Sequence, residues 1–351
     1  MTTPTTTNNS DVQVNLRALV DMLLGYLKDI DNTPTLQSSE IVDVEAIVND
    51  LGKLGIILAD NATKVTISCK PPCTPISAVP TIKTMGDTLF RICGFVESIP
   101  ISAGKTLIQK IKSITREILF DSAALANSFL DEPVDPNPDT ISKGYLISTG
   151  IIWEACDRFD NLPKNNKQAV TIKWKEMLEL LKDVNLEVKK LIENDENQGV
   201  DDDGWEEIFG ESNNSTLTAK EKEIVELSLK LLNLVKILFT KVLKRCIEPL
   251  DISSRKNDLS KINQTLDQYM DLGKLVADAA DELGTSLYPP QHSTAIETNV
   301  NHVSLRSQDL IKVILPFASE EEVKWFNTCD AQFTKILQSI LEKNKNMVGL
   351  D

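Results

Sequence analysis

Histidine is almost missing from this 351-residue sequence: His292 and His302 are the only two, and both lie near the proline-bounded stretch after "SLYPP". A metal site built from several imidazoles is therefore excluded. Aromatic residues make up only 5% of the chain, so any core must be built mainly from Leu, Ile and Val. Cations are the minority charge, with 37 Lys and Arg against 52 Asp and Glu and a net charge of −15. Such a surface repels phosphate backbones, which argues against direct binding of nucleic acid. The best basic cluster, Lys241, Lys244 and Arg245, is short and reads as a solvated helix face. No run approaches the roughly 18–20 uncharged apolar residues of a membrane span; even "LLNLVKILFTKVL" is interrupted by Lys236 and Lys241. The six cysteines are scattered and no secretory leader precedes them, a pattern that predicts free thiols in a reducing compartment and a soluble protein of cytoplasm and nucleus.

Catalytic constellations are equally thin. "AGKT" at 103–106 ends like a phosphate loop, but that loop needs glycine at 99, where Ile99 stands, and a preceding strand. Cys69 and Cys73 in "CKPPC" have no second pair to complete a metal site. There is no nucleophile elbow and no Gly-rich dinucleotide turn, and no carboxylate pair sits in an apolar setting that would separate an acid from a base. The expectation is a protein with no enzymatic activity and no cofactor or metal.

What the chain does have is apolar residues at helical spacing. "VQVNLRALVDMLLGYLKDI" places Leu16, Leu19, Val20, Leu23, Leu24 and Leu27 on one face, and later segments repeat the period. Prolines 71, 72, 75, 80, 100, 133, 136, 138 and 163 fall between these segments, as expected of residues that lack a helix-interior donor. "KVTISC" is the one strand-like piece, and it equally continues the second helix. The fold predicted is all-α: two helical bundles, of about five to six and then about four helices, joined by an acidic linker. Residues 1–10 are expected to be a disordered tail, 11–192 an N-terminal bundle, 193–214 a flexible acidic linker and 215–348 a C-terminal bundle.

Within the N-terminal part, Val170, Trp174, Met177, Leu181, Val184, Val188 and Leu191 form one stripe. Three heptads are marginal for a zipper, so a bundle core is preferred over pairing with a second chain. Residues 193–211 hold nine acids and no base. Inside that block Trp205, Ile208 and Phe209 are spaced i, i+3, i+4, suiting either a short helix for a partner's groove or a segment docked on its own bundle. Thr218 and Glu221 form a capping box ahead of the next helix.

"IIWEACDRFDNLPKNNKQAV", residues 151–170, reads physically as a helix–helix corner, with Pro163 stopping one helix and Asn165 or Asn166 capping the next. It also resembles the signature of the cyclin-D-binding, or Grap- and cyclin-D-interacting, protein family: Trp153, Cys156, Pro163, Asn166, Lys167 and Ala169 carry the likeness. "DELGTSLYPP" is similar to a second family run, through Asp281, Leu283, Ser286, Tyr288, Pro289 and Pro290. The resemblance implies an all-α, two-bundle, non-enzymatic protein. It implies binding to D-type cyclins or transcription regulators in nucleus and cytoplasm, restraining cell-cycle progression, with these motif residues structural. The sequence departs from the family description in lacking a long leucine zipper and any segment that must be a helix-loop-helix. A helical-bundle adaptor of cytoskeletal or membrane-peripheral type is the competing expectation.

Overall fold

The computed structural model describes residues 8–31, 43–130, 138–197, 217–252 and 258–348, and every regular element among them is helical. The chain divides into two compact units between Ala169 and Val170.

The first unit holds α1 (Asn9–Asp29), α2 (Val44–Cys69), α3 (Pro75–Glu97), α4 (Lys105–Asn127) and α5 (Pro138–Asp160). Their packing closes a ring in the order α3, α2, α5, α4, α1 and back to α3. Leu16, Leu23, Leu51, Leu58, Leu89, Ile111, Ile118 and Phe159 fill its centre. Helix α1 starts at Asn9, inside the stretch expected to be a tail, because Asn8 and Asp11 form a reciprocal capping box. "KVTISC" continues α2 to Cys69. Pro80 is not a junction but lies within α3, which opens at Pro75. The helix tolerates it because Pro80 faces outward, so the Ile76 carbonyl that loses its donor lies on the exposed side.

The second unit contains α6 (Asn166–Asn197) from Val170 onward, α7 (Ala219–Val242), α8 (Leu259–Ser286), α9 (Ser293–Ile314) and α10 (Glu320–Val348). Here the structure departs from the expected division, which gave the stripe of α6 to the first bundle. Trp174 is fully buried against Phe239 of α7, ring centroids 4.7 Å apart, and its Nε1–H donates to the Phe239 carbonyl at 3.0 Å. Asn185 Nδ2 reaches the Leu232 carbonyl of the same helix at 3.4 Å. On α8, Gly273 and Gly284 leave the room α6 occupies: a Cβ at Gly273 would stand 2.6 Å from the Trp174 ring, and one at Gly284 2.9 Å from Val184. With α6 set on α7 and α8, and α8, α9, α10 and α7 packed in turn, the helices among the described residues divide five and five: the first bundle has the expected five to six, and α6 adds a fifth to the four expected in the second. The helix also runs to Asn197, past the expected break at 192. A stripe announces that a helix has a buried face without saying which neighbours bury it.

Candidate interaction surfaces

The first motif joins three helices of the first unit. Helices α2 and α5 lie close because Gly55 carries no side chain: a Cβ there would press on the Cys156 carbonyl at 3.1 Å and the Phe159 Cβ at 3.2 Å. Further along the same contact the hydroxyls of Thr66 and Thr149 meet at 2.7 Å. Trp153 is 47% exposed, and its Nε1–H donates to both the Ala59 carbonyl and the Thr63 hydroxyl at 3.2 Å. It lies across the α2–α5 seam rather than inside the core. Cys156 is buried beneath it, and Pro163 and Ala169 are also buried.

Asn166 does something the sequence did not suggest. "AGKT" is the start of α4, with Gly104 as N-cap at φ +105° and a 3-10 turn (Ile101–Ala103), not a strand, before it. Glycine has no side-chain oxygen with which to cap. Asn166, buried and 59 positions ahead, supplies one: its Oδ1 accepts from the Leu107 amide at 2.9 Å, the third amide of α4. Lys167, next to it, is partly exposed.

The second motif ends α8. Leu283 is fully buried, Asp281 is exposed with its carbonyl accepting from the Thr285 hydroxyl, and Ser286 donates to the Leu283 carbonyl. Tyr288 is exposed, and the Pro289–Pro290 bond is cis. The following amide, Gln291 N–H, donates to Glu221 Oε1 at 3.2 Å, while Glu221 Oε2 accepts from the Thr218 amide at 2.8 Å, completing the capping box of α7. Burial works to raise the Glu221 carboxyl, yet the bonds from Thr218 and Gln291 outweigh it and hold the group below its ordinary 4.5. A carboxyl lowered in the folded state adds stability above its unfolded pKa and loses it as pH falls through the folded value. Glu221→Gln should therefore cost about 1–2 kcal/mol at neutral pH, with the gap to wild type closing below about pH 4.5 in urea melts; a gap independent of pH would show that the carboxylate charge plays no part.

Nucleophilic chemistry finds little support among the described residues. Burial pushes the thiols of Cys93, Cys156, Cys246 and Cys329 up to about 12 and that of Cys69 to about 11, far from a reactive thiolate. No group of three or more His, Cys, Asp or Glu there is placed to hold a metal ion, and no described helix is long and apolar enough to cross a membrane. Two concavities stand out instead. One, about 390 Å³, lies between α1 and α3 over Leu19, Met22, Ile82, Gly86 and Phe90. The other, about 240 Å³, lies in the second unit where α7 ends in a π-turn, Leu243–Ile247. Neither is legible in the sequence, since both depend on which helices become neighbours. Trp205, Ile208 and Phe209 lie outside the described residues.

Two five-helix units with apolar clefts and no assembled acid–base or metal site among the described residues define an all-helical protein of the bundle class. Residues 50–194 match the family described as Grap2 and cyclin-D-interacting, N-terminal, and residues 201–312 match its C-terminal counterpart. Together the two matches take in more than half of the sequence, and the chain belongs to the Grap2 and cyclin-D-interacting family. Among its relatives, a Danio rerio protein named cyclin-D1-binding protein 1 homolog is 26% identical over 280 residues, 76% of this chain and 77% of its own. A Bos taurus cyclin-D1-binding protein 1 is 24% identical over 298 residues, 81% of this chain and 80% of its own. An uncharacterized protein of Schizosaccharomyces pombe is 24% identical over 343 residues, 91% of this chain and 96% of its own. The family's description names interaction rather than catalysis. Its N-terminal match ends within α6, so the border between the two matched segments falls some way beyond the border between the two compact units.

Proposed function

We propose that this protein is a non-enzymatic interaction regulator that binds a cyclin or a transcription regulator in the nucleus and cytoplasm and thereby restrains cell-cycle progression and the associated transcription. The observation that carries the reading is the family match across both halves of the chain, supported by relatives named for binding cyclin D1. The burial of the thiols speaks in the same direction, since a protein that works by contact needs shaped surfaces and not activated nucleophiles. Trp205, Ile208 and Phe209 are the contact we assign to the partner: three large apolar residues at helical spacing within an acidic run match a groove-binding peptide.

Affinity purification from native extract with the intact protein, beside a Trp205→Ala, Phe209→Ala double variant, tests both parts. A D-type cyclin or transcription regulator recovered at least about tenfold better with the intact protein is expected, the loss of two hot-spot aromatics. Equal recovery with both baits would move the contact onto the bundles, and recovery of no such regulator would overturn the reading. Imaging of the tagged protein should find it in both nucleus and cytoplasm; confinement to an organelle would contradict the proposed setting.

A further inference from the structure

We propose that the cleft at the π-turn end of α7 is a docking site for an acidic peptide of a partner protein, which inserts one bulky apolar side chain between two cations. The site lies within the second unit and is separate from the Trp205 segment, though it rests on the reading of the chain as an interaction protein.

The cleft exists because α7 changes its winding. After Val242 the backbone takes π geometry, marked by the Glu248 amide donating to the Leu243 carbonyl at 2.9 Å, and the widened turn brings Arg245 and Cys246 to the cavity. Apolar walls come from Leu250, from Ile262 and Tyr269 of α8, and from Ile314 of α9. At about 240 Å³ the space is below the roughly 300–1,000 Å³ of small-molecule sites and fits one anchor side chain. On its lining, Phe317 is 68% exposed on the 3-10 turn Leu315–Phe317. Single exposed apolar residues are ordinary; one that also lines an apolar cleft extends its contact area.

Charge selects the occupant. In a chain of net charge −15, the cleft is lined by Arg245 and Lys261, and Lys244 is exposed on the same turn. Among the described residues none of these three has an ion-pair partner. One carboxylate, Glu322, also lines the cleft, where it accepts from the Ser319 amide as a helix cap and keeps its charge; Glu248 pairs with Lys175 at 3.1 Å, and Asp251 has an interaction of its own. Lys241 is spent over the Trp325 ring, 5.1 Å from its centroid. The lining thus carries two cations against one carboxylate, with Lys244 adding a third cation on the same turn, and this excess of positive charge around an apolar interior complements a segment with carboxylates flanking one large apolar residue. A nucleic acid backbone carries no bulky apolar side chain and would leave the interior unfilled.

Fluorescence polarisation on the full chain provides the test, with a dye-labelled synthetic acidic peptide bearing one central tryptophan. Binding is expected, weakening as salt is added and falling by about tenfold or more in an Arg245→Glu, Lys261→Glu double variant and by several-fold in Phe317→Ala. All three side chains are exposed, so thermal melts should match wild type. No binding, undiminished binding by the charge-reversed variant, or equal binding of a peptide with serine for tryptophan would overturn the proposal. So would tighter binding of a single-stranded oligonucleotide, which assigns the cations to phosphate. Self-association abolished by the same charge reversal would assign the cleft to a second copy. None of these failures touches the Trp205 and Phe209 experiment, so the two readings stand or fall separately.

Discussion

Trp174→Ala should destabilise the second unit by about 3–5 kcal/mol, the range for emptying a buried aromatic site, and lower its Tm by on the order of 10 °C. Three contacts are lost at once. The indole stacks on Phe239, its Nε1–H satisfies the Phe239 carbonyl, and its ring fills the hollow that Gly273 leaves on α8. Collapse repairs the gap only in part, because the wall at Gly273 is helix backbone with no side chain to swing into the space. Trp174→Phe should cost less, keeping the stack and losing about 1 kcal/mol for the hydrogen bond together with part of the fill. Trp153→Ala is the control: that ring is half exposed and belongs to the first unit, so its removal should cost about 1 kcal/mol or less, for two partly solvated hydrogen bonds. Calorimetry of the three variants is decisive. If Trp174→Ala melted no earlier than Trp153→Ala, α6 would not be part of the second core.

Gly104→Ala should be the most damaging conservative change in the first unit. At φ +105° and ψ 136° an L side chain is strained by about 1–3 kcal/mol. The new Cβ would also stand 2.1 Å from Asn166 Cγ, and Asn166 has no freedom to yield while it holds the Leu107 amide. Displacing it uncaps α4, at about 1 kcal/mol more. Asn166→Ala alone should cost about 1–2 kcal/mol. The two substitutions share one interaction, so the double variant should be more stable than the sum of the singles by about 1 kcal/mol or more. Strict additivity in denaturant melts would separate the glycine from the cap and remove the explanation of both.

The fold class was open to reading because helix formation is local. Capping at Thr218, the periodicity of α1 and α2 and the placement of most prolines each need only a few neighbouring residues. Partnership is not local, and that is where the reading diverged. Pro80 reads as a helix boundary because its missing donor is visible in sequence, whereas the outward face that makes it harmless is not. Of the two candidate caps for α6, Asn165 takes that role, its Oδ1 accepting from the Gln168 amide at 3.0 Å, while nothing in "PKNN" points Asn166 to an amide 59 positions back. The acid block after Ile192 suggested a border there, yet acid marks where burial stops, not which core a preceding stripe has joined. The cleft beside Arg245 was out of reach for the same reason: its walls come from α7, α8, α9 and α10, and the three cations read in sequence gave no hint of the cavity behind them.

The border inside α6 bears on how such proteins can be inherited. The two segments by which the family is described divide after residue 194, so the first of them carries α6, a wall of the second bundle. A gene fragment encoding everything after residue 194 would specify α7, α8, α9 and α10 around a trough where Trp174, Leu181 and Val188 belong. A fragment encoding only the first would end in a helix whose apolar stripe had lost its cover. Recombination at that border yields two halves that each fold badly, while a break just before Val170 leaves both cores whole. Selection would then keep the two segments together as one heritable unit, even though each has its own hydrophobic core.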